Sequence, residues 1–292
     1  MSRVDSLQDR EDALEPADAF SLVGNETRLA ILEALWRLEE PARFSEIHDH
    51  VGTDTSSRFN YHLGQLTGQF VRQTETGYEL RTAGRRVVQA VLAGSFTDDQ
   101  DRSLAIEDDC VRCGATLEAR YSDEMLTIRC PECGHGHGQY SFPPGGLNGR
   151  TDAEVLAAFD QRVRHLHCLA KDGVCPACGG RVDTKIEEGE PCCLGVEIRA
   201  THVCDQCNRE VCSAVGLALL DQSPVVAFYD DHGITLSEKP YWQLPWCVND
   251  DAVTILEEDP TRLQVAITED DETLTVTLDD DLAIVDTDRT PA

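Results

Sequence analysis

The chain has few cations and almost no lysine. Its 25 Lys and Arg residues face 54 Asp and Glu residues, which gives a formal net charge of −29, and only Lys171, Lys185 and Lys239 are lysines. A surface rich in small hydrated carboxylates is expected where molar salt screens self-repulsion. The composition therefore favours the cytoplasm of a halophile over an ordinary acidic protein.

Long apolar runs are also missing. The longest, Val211 to Leu220, is about half a membrane span, and the opening MSRVDSLQDREDALEP has no apolar stretch behind its charges, so we expect no signal peptide. The hydrophobic content of 41 % is enough for a buried core. We expect a cytoplasmic protein with no membrane partner, whose thirteen cysteines are metal ligands or free thiols.

Catalytic motifs are a third absence. The sequence contains no P-loop, no dinucleotide fingerprint and no nucleophile elbow. Pairs of carboxylates occur only because acids are abundant. We therefore expect a protein that is not an enzyme.

Two polar stretches divide the chain into three regions. Asp98 to Asp109 is acidic, and Gly134 to Arg150 is rich in Gly and Pro. The expected domains are residues 1–97, 98–149 and 150–292.

The first region contains short amphipathic helices. Apolar residues recur at helical spacing in three segments: Leu29, Leu32, Leu35 and Trp36; Phe44, Ile47 and Val51; and, after the turn GTDT, Phe59, Leu63 and Leu66. The last pattern predicts a polar outer face of Ser57, Arg58, Asn60, Tyr61, His62 and Gln65. Two short helices joined by a tight turn are typical of a helix-turn-helix, whose second helix reads the major groove of double-stranded DNA.

A hairpin and a closing helix follow. VRQTETGYEL predicts two strands around a Gly turn, which is a wing, and TAGRRVVQAVL predicts a helix. This order, with the opening GNETRLAILEAL and the segment NYHLGQL, resembles the ArsR-like winged-helix regulators over residues 14–95. The resemblance implies a homodimer held by the first and last helices, with paired recognition helices in successive major grooves. We expect Arg72 of the wing to contact the DNA backbone.

Local charge also favours DNA binding over the alternative, a winged helix that docks on protein. Between Pro41 and Gly94 six Arg face five acids, and Arg and Asn or Gln side chains read base edges well. Metal-sensing members of the family carry cysteines before the recognition helix or carboxylate and histidine ligands in the last helix. This chain has neither, and His48 and His50 are expected at the surface.

Two Cys-x-x-Cys pairs in the second region are the strongest chemical signal. The intervening residues alternate as a hairpin (Leu117, Ala119, Tyr121, then Leu126, Ile128) and would join the pairs into a four-thiolate zinc site of Cys110, Cys113, Cys130 and Cys133. Gly114 and Gly134 follow the pairs, where a left-handed residue is needed. His135 and His137 are alternative ligands.

A second ribbon, at about 175–212, repeats this pattern with Cys175, Cys178, Cys204 and Cys207, while Cys168 and Cys212 are alternative ligands. Val182 to Ile186 and Val196 to Ala200 predict its hairpin. Cys192 and Cys193 at the tip are either redox-active or idle, and Cys247 is expected to pack. Zinc held by four thiolates has no position for water, so two zinc ions per chain would be structural.

The third region predicts an α+β domain around the second ribbon. Thr151 and Glu154 form a capping box for a helix with an apolar stripe of Val155, Phe159, Val163, Leu166 and Leu169. SPVVAFYDDHG predicts a second helix capped by Ser223. Alternating runs at 253–256, 263–267 and 274–278 predict an antiparallel meander. Trp242 and Trp246 either cover it or line a pocket.

Taken together, the expected fold is a mostly α winged helix-turn-helix domain followed by two small β zinc ribbons, the second inserted in an α+β domain. The arrangement resembles haloarchaeal winged-helix proteins with zinc-ribbon extensions, which implies a homodimeric DNA-binding transcriptional regulator. Two alternatives remain: an adaptor that binds a transcription-machinery protein, and a thiol-responsive switch that uses Cys192 and Cys193.

Overall fold

The computed structural model describes residues 14–94, 100–189 and 195–292. The chain forms two compact units, divided between residues 98 and 99, and each has its own hydrophobic core. The predicted fold class is confirmed: a helical unit with a wing-like hairpin comes first, and small antiparallel sheets with four-cysteine clusters and an α+β region follow. None of the described helices is long and apolar enough to cross a membrane.

The described residues of the first unit form five helices and one hairpin. The helices are α1 (Pro16–Val23), α2 (Glu26–Arg37), α3 (Phe44–Val51), α4 (Ser56–Leu66) and α5 (Thr82–Leu92), and the hairpin pairs β1 (Val71–Gln73) with β2 (Tyr78–Leu80). The predicted turn between α3 and α4 is formed because Gly52 ends α3 with a φ of 68°, a left-handed conformation that glycine adopts without strain. Thr55 then caps α4 by accepting a hydrogen bond from the Arg58 amide.

The core of the first unit is apolar throughout. Ile31 and Leu35 of α2, Ile47 of α3, and Phe59 and Leu63 of α4 are almost fully buried. Burial of each such side chain contributes about 1.5–3 kcal/mol. The predicted stripe of α2 is shifted, however, because Ile31 and Ala34 fill the core and Trp36 is 38 % exposed.

In the second unit, residues 100–189 and 195–292 form three antiparallel sheets. The first sheet has the strand order β3 (Arg102–Leu104), β4 (Glu118–Ser122), β5 (Met125–Arg129), β6 (Gly136–Ser141). The second sheet has the order β7 (Val182–Glu188), β8 (Ile198–Cys204), β9 (Glu210–Ala214). The third sheet has the order β10 (Val253–Glu258), β11 (Thr261–Glu269), β12 (Glu272–Leu278), β13 (Ile284–Pro291). The helices are α6 (Asp152–Lys171), α7 (Ser223–Asp231) and α8 (Pro245–Val248).

Strands β3, β6, β9 and β13 are additions to the predicted hairpins and meander. All of β6 lies in the stretch from Gly134 to Arg150 that was expected to be a connector. Its Gly138 packs so closely on Tyr241 that a Cβ atom would collide with the phenol oxygen. The strand therefore requires glycine at this position. Because glycine is uncommon inside strands, the composition of this stretch did not predict one.

One hydrophobic core runs across the boundary expected at residues 149 and 150. Tyr121 and Ile128 of the first sheet, Phe159 of α6, and Val265 and Val276 of the meander belong to the same cluster. The first ribbon is thus packed into the body of the second unit.

The long helix α6 begins as predicted. The Thr151 amide donates to Glu154 Oε2 (2.8 Å) and the Glu154 amide donates to Thr151 Oγ1 (3.4 Å), which completes the capping box. The end of its stripe differs from the prediction, because His167 and Ala170 are buried and Leu169 is 41 % exposed.

The third region differs from its prediction at the cap of α7, and it places both tryptophans in the core. Helix α7 is preceded by Gln222, not capped by Ser223, and makes no side-chain cap. Trp242 and Trp246 are both buried; their indole N–H groups donate to Asp108 Oδ2 (2.6 Å) and to the Tyr229 hydroxyl (2.9 Å). The two indoles are therefore part of the core.

Candidate metal centres and nucleic-acid interface

The four Cys-x-x-Cys turns share one backbone geometry. Each is followed by a left-handed residue: Gly114, Gly134, Gly179 and Asn208 have φ values of 74°, 74°, 73° and 55°. The amide of each of these residues donates to the carbonyl of the first cysteine of its turn, at 2.8–3.1 Å. Glycine and asparagine tolerate this conformation best, which explains their place in the sequence.

The turns place eight sulfurs in two clusters. The first cluster is Cys110, Cys113, Cys130 and Cys133, and the second is Cys175, Cys178, Cys204 and Cys207; within each, the four sulfurs lie within 4.8 Å of one another. The hairpins bring the turns together, since β4 pairs with β5 and β7 pairs with β8. These are the eight cysteines that the spacing predicted as ligands.

The sulfur separations fit a tetrahedral metal ion. They are 3.8 Å (Cys110–Cys133) and 3.5 Å (Cys113–Cys130) in the first cluster, and 3.7 and 3.6 Å in the second. Four thiolates around zinc, each about 2.3 Å from the metal, lie about 3.8 Å apart, whereas a disulfide requires about 2.05 Å. Each cluster can therefore hold one metal ion such as zinc.

Each cluster has a buried and an exposed side. Cys110, Cys130, Cys175 and Cys204, the first cysteine of each turn, are buried, and the second cysteine of each turn is exposed. Backbone amides point at the buried sulfurs, as from Arg112 to Cys110 Sγ and from Gln206 to Cys204 Sγ, both at 3.4 Å. Amide donors of this kind stabilise thiolate charge.

The alternative ligands lie outside the clusters. His137 is buried beside the first one, with Nε2 3.3 Å from Cys110 Sγ and Nδ1 3.0 Å from the Trp242 carbonyl oxygen. It contacts the sulfur of a ligand and is not one of the four groups that surround the site. The sequence suggested His137 as an alternative ligand. Only the structure shows that its ring lies between the Cys110 sulfur and the Trp242 carbonyl group.

The other described cysteines, Cys168, Cys212 and Cys247, belong to neither cluster. Cys168 is half-buried, and a hydrogen bond with Asp221, together with burial, raises the pKa of its thiol to about 11. Cys247 is buried, which raises the pKa of its thiol well above the ordinary value. Cys192 and Cys193 lie outside the described residues.

The outer face of α4 has the predicted polar character. Ser57, Arg58, Asn60, Tyr61 and Gln65 are exposed and His62 is half-buried, while Phe59, Leu63 and Leu66 face the core. Burial lowers the pKa of His62, and the positive charges of Arg28 and Arg58 lower it further. The helix therefore presents one guanidinium, an amide pair and a phenol to the solvent.

The two candidate DNA-binding arginines differ in their surroundings. Arg72 of the wing forms an ion pair with Glu79 on the facing strand, with 2.6 Å between Nε and Oε1. Among the described residues Arg58 has no such carboxylate partner. Arg72 must exchange a carboxylate for a phosphate in order to bind DNA, and Arg58 need not.

Comparison with known proteins adds two family matches. Residues 16–91 match the family described as "Domain of unknown function (DUF7347)", and residues 107–284, more than half of the chain, match "Domain of unknown function (DUF7351)". No curated protein and no solved structure matches the chain. The chain therefore belongs to the DUF7351 family, with a DUF7347 segment before it.

Proposed function

We propose that this protein is a DNA-binding transcriptional regulator whose α4 reads the major groove and whose two zinc ions are structural. The observation that carries the proposal is the exposed polar face of α4 on a helix anchored by Phe59, Leu63 and Leu66. Arg, Asn and Gln side chains on such a face can bond bidentately to guanine or adenine edges. The resemblance of residues 14–95 to ArsR-like regulators supports the same reading.

The net charge of −29 does not prevent this function in molar salt. At about 1 M salt the screening length is roughly 3 Å, so repulsion between acidic surfaces and phosphates is largely removed. Attraction between arginines and phosphates is weakened as well. For each phosphate contact, the logarithm of the association constant falls by about 0.9 for a tenfold rise in salt concentration. Short-range contacts to base edges then dominate, and these are what α4 offers.

The proposed assembly is a homodimer. Phe20 of α1 is 77 % exposed, Leu92 of α5 is 51 % exposed, and Leu14 is 38 % exposed. Apolar side chains exposed just before α1 (Leu14), on α1 (Phe20) and at the end of α5 (Leu92) support pairing through these two helices. Val88, on the same helix as Leu92, is 1 % exposed and belongs to the core of the unit.

The four-thiolate clusters support folding roles for the metals. A metal with four protein thiolates has no open position for water or substrate. We accordingly propose that the protein is not an enzyme and that it acts in the cytoplasm of a halophilic archaeon.

The test is titration of a footprinted DNA site by fluorescence anisotropy at several KCl concentrations. We expect affinity to fall only weakly, or to rise, from moderate to molar KCl, and Arg58→Ala or Asn60→Ala to weaken specific binding by about 1–3 kcal/mol each if the residue makes a bidentate base contact. Arg37→Ala, which removes the same charge from α2, is the matched control and should bind like wild type.

The same experiment separates the proposal from the adaptor alternative. An adaptor gives no compact footprint, and wild-type binding by both α4 variants would remove α4 as the reader. A thiol switch would instead release DNA on oxidation and lose that response in a Cys192→Ser, Cys193→Ser double variant.

A further inference from the structure

Two arginines of the second unit meet at Ser141, the last residue of β6. Arg162 of α6 donates from Nε to the Ser141 carbonyl oxygen (3.0 Å), and Arg209, just before β9, donates from Nη2 to the Ser141 hydroxyl (3.4 Å). We call Ser141, Arg162 and Arg209 the arginine site. Three separate elements build it, and it includes neither a cysteine of the two clusters nor a residue of α4.

The positive charge of the arginine site is not balanced by a carboxylate. Among the described residues, neither Arg162 nor Arg209 forms an ion pair with Asp or Glu, although the chain carries 54 acids and only 25 Lys and Arg residues. Desolvation of part of the Arg162 side chain lowers the pKa of its guanidinium group, and the like charge of Arg209 lowers it further. Two cations held close together repel each other, and a bound anion would offset that repulsion.

The arginine site has donors that a ligand can reach. Arg162 is exposed and Arg209 is half-buried. Within the part of the chain that the structure describes, Arg162 uses only Nε and Arg209 only Nη2 in hydrogen bonds. The Nε group of Arg209 is buried and unpaired, whereas its Nη1 group, which also has no partner there, is not buried. Each arginine therefore keeps a terminal N–H group for a ligand, and such groups match the oxygens of a tetrahedral oxyanion.

The sequence around Ser141 is free of carboxylates. No Asp or Glu occurs from residue 133 to residue 151, although 54 of the 292 residues are acids. The chain has only two other acid-free stretches of at least eighteen residues, 55–74 and 80–97, and they contain α4 and α5 of the first unit. Carboxylates repel anions, so the same depletion beside the arginine site indicates that an anion approaches there as well.

We propose that the arginine site binds a phosphate group, which accepts hydrogen bonds from the guanidinium groups of Arg162 and Arg209 and from the Ser141 hydroxyl. A phosphate dianion balances both guanidinium charges, which a single carboxylate does not. The phosphate group belongs either to a small molecule or to the backbone of DNA, and the recognition chemistry is the same in both cases. The inference concerns the second unit and does not depend on whether α4 reads DNA.

The test is isothermal titration calorimetry of the full-length, zinc-loaded chain with inorganic phosphate at constant KCl concentration. We expect saturable binding of one phosphate per chain. Arg162→Gln and Arg209→Gln should each weaken this binding at least about tenfold, because each removes a charged donor. Arg181→Gln is the matched control, since it removes an exposed arginine of the same ribbon that is already paired with Asp183, and it should bind phosphate like wild type.

A second titration, with duplex DNA and fluorescence anisotropy, separates the two sources of phosphate. Loss of DNA affinity in both Arg162→Gln and Arg209→Gln assigns the site to the DNA backbone, and wild-type affinity assigns it to a small molecule. Circular dichroism and zinc content check that the variants are folded. Absence of saturable phosphate binding by the wild type, or equal phosphate binding by Arg209→Gln and Arg181→Gln, would overturn the proposal.

Discussion

The two units of this chain are stabilised by different means. The first has no cysteine, and its core is a continuous set of apolar side chains from its helices and wing. The second contains all thirteen cysteines, and its second ribbon has a buried cluster of its own made of Cys175, Val182 and Cys204, two of which belong to the second four-cysteine cluster. A metal ion held by the four cysteines would stabilise this end of the ribbon, where the buried apolar area is small.

The charge distribution differs in the same way. The segment from Pro41 to Gly94 is nearly neutral, whereas fourteen acids and two arginines follow Val248. The acidic excess is therefore concentrated in the C-terminal part of the second unit, and the proposed DNA contacts lie in the nearly neutral segment of the first.

Removal of metal should produce the largest difference in stability between the two units. We expect two zinc ions per chain, each contributing about 10 kcal/mol or more to the folded ribbons. A strong chelator should therefore unfold the ribbons and leave the helical circular dichroism of residues 16–92. Elemental analysis that gave one zinc or fewer per chain from folded, unstripped protein would contradict this expectation.

A single ligand substitution should have a smaller effect of the same kind. Cys110→Ser should reduce the zinc content to one per chain and destabilise the second unit by several kcal/mol, since Cys110 is buried in its main core. Limited proteolysis should then cut the second unit and spare the first. Cys168→Ser is the matched control, because this thiol lies outside both clusters, and it should retain two zinc ions.

Acidification should also act on the second unit. Burial, with a smaller effect of His202, lowers the pKa of His167 to about 3. Between pH 6.5 and that value the unfolded chain binds a proton that the folded chain does not, so the free energy of unfolding falls as the pH falls, by about 1.4 kcal/mol per pH unit.

Urea denaturation at several pH values measures this slope. His167→Gln should reduce it, because glutamine does not titrate, and His50→Gln in the first unit should leave it unchanged. Equal slopes for wild type and His167→Gln would exclude His167 as the source.

Self-association should depend on the first unit alone. Phe20→Ser removes the most exposed aromatic side chain of α1 and should weaken the dimer by about 1.5–3 kcal/mol. Light scattering in molar KCl over a range of protein concentrations checks this. Tyr61→Ser, at an exposed aromatic residue on α4, is the control. A wild-type chain that is monomeric at micromolar concentration would remove the dimer altogether.

Sequence alone was most informative where a short pattern has one structural solution. The spacing of Phe59, Leu63 and Leu66 defined the buried face of α4, and the repeated Cys-x-x-Cys turns predicted both clusters. Sequence analysis failed where a strand pairs through its backbone but its side chains do not alternate between apolar and polar. Strand β13 is almost entirely exposed and therefore shows no apolar alternation, yet it pairs along its length with β12.

The sequence by itself determined the helix-turn-helix, the wing and the metal-binding turns, because helical period, glycine conformation and ligand spacing are local properties. Only the tertiary structure decided that the first ribbon shares a core with α6 and the meander and that His137 contacts Cys110. These contacts join residues that lie far apart in the sequence, such as Tyr121 and Val276. Their partners are chosen by packing, which no local pattern encodes.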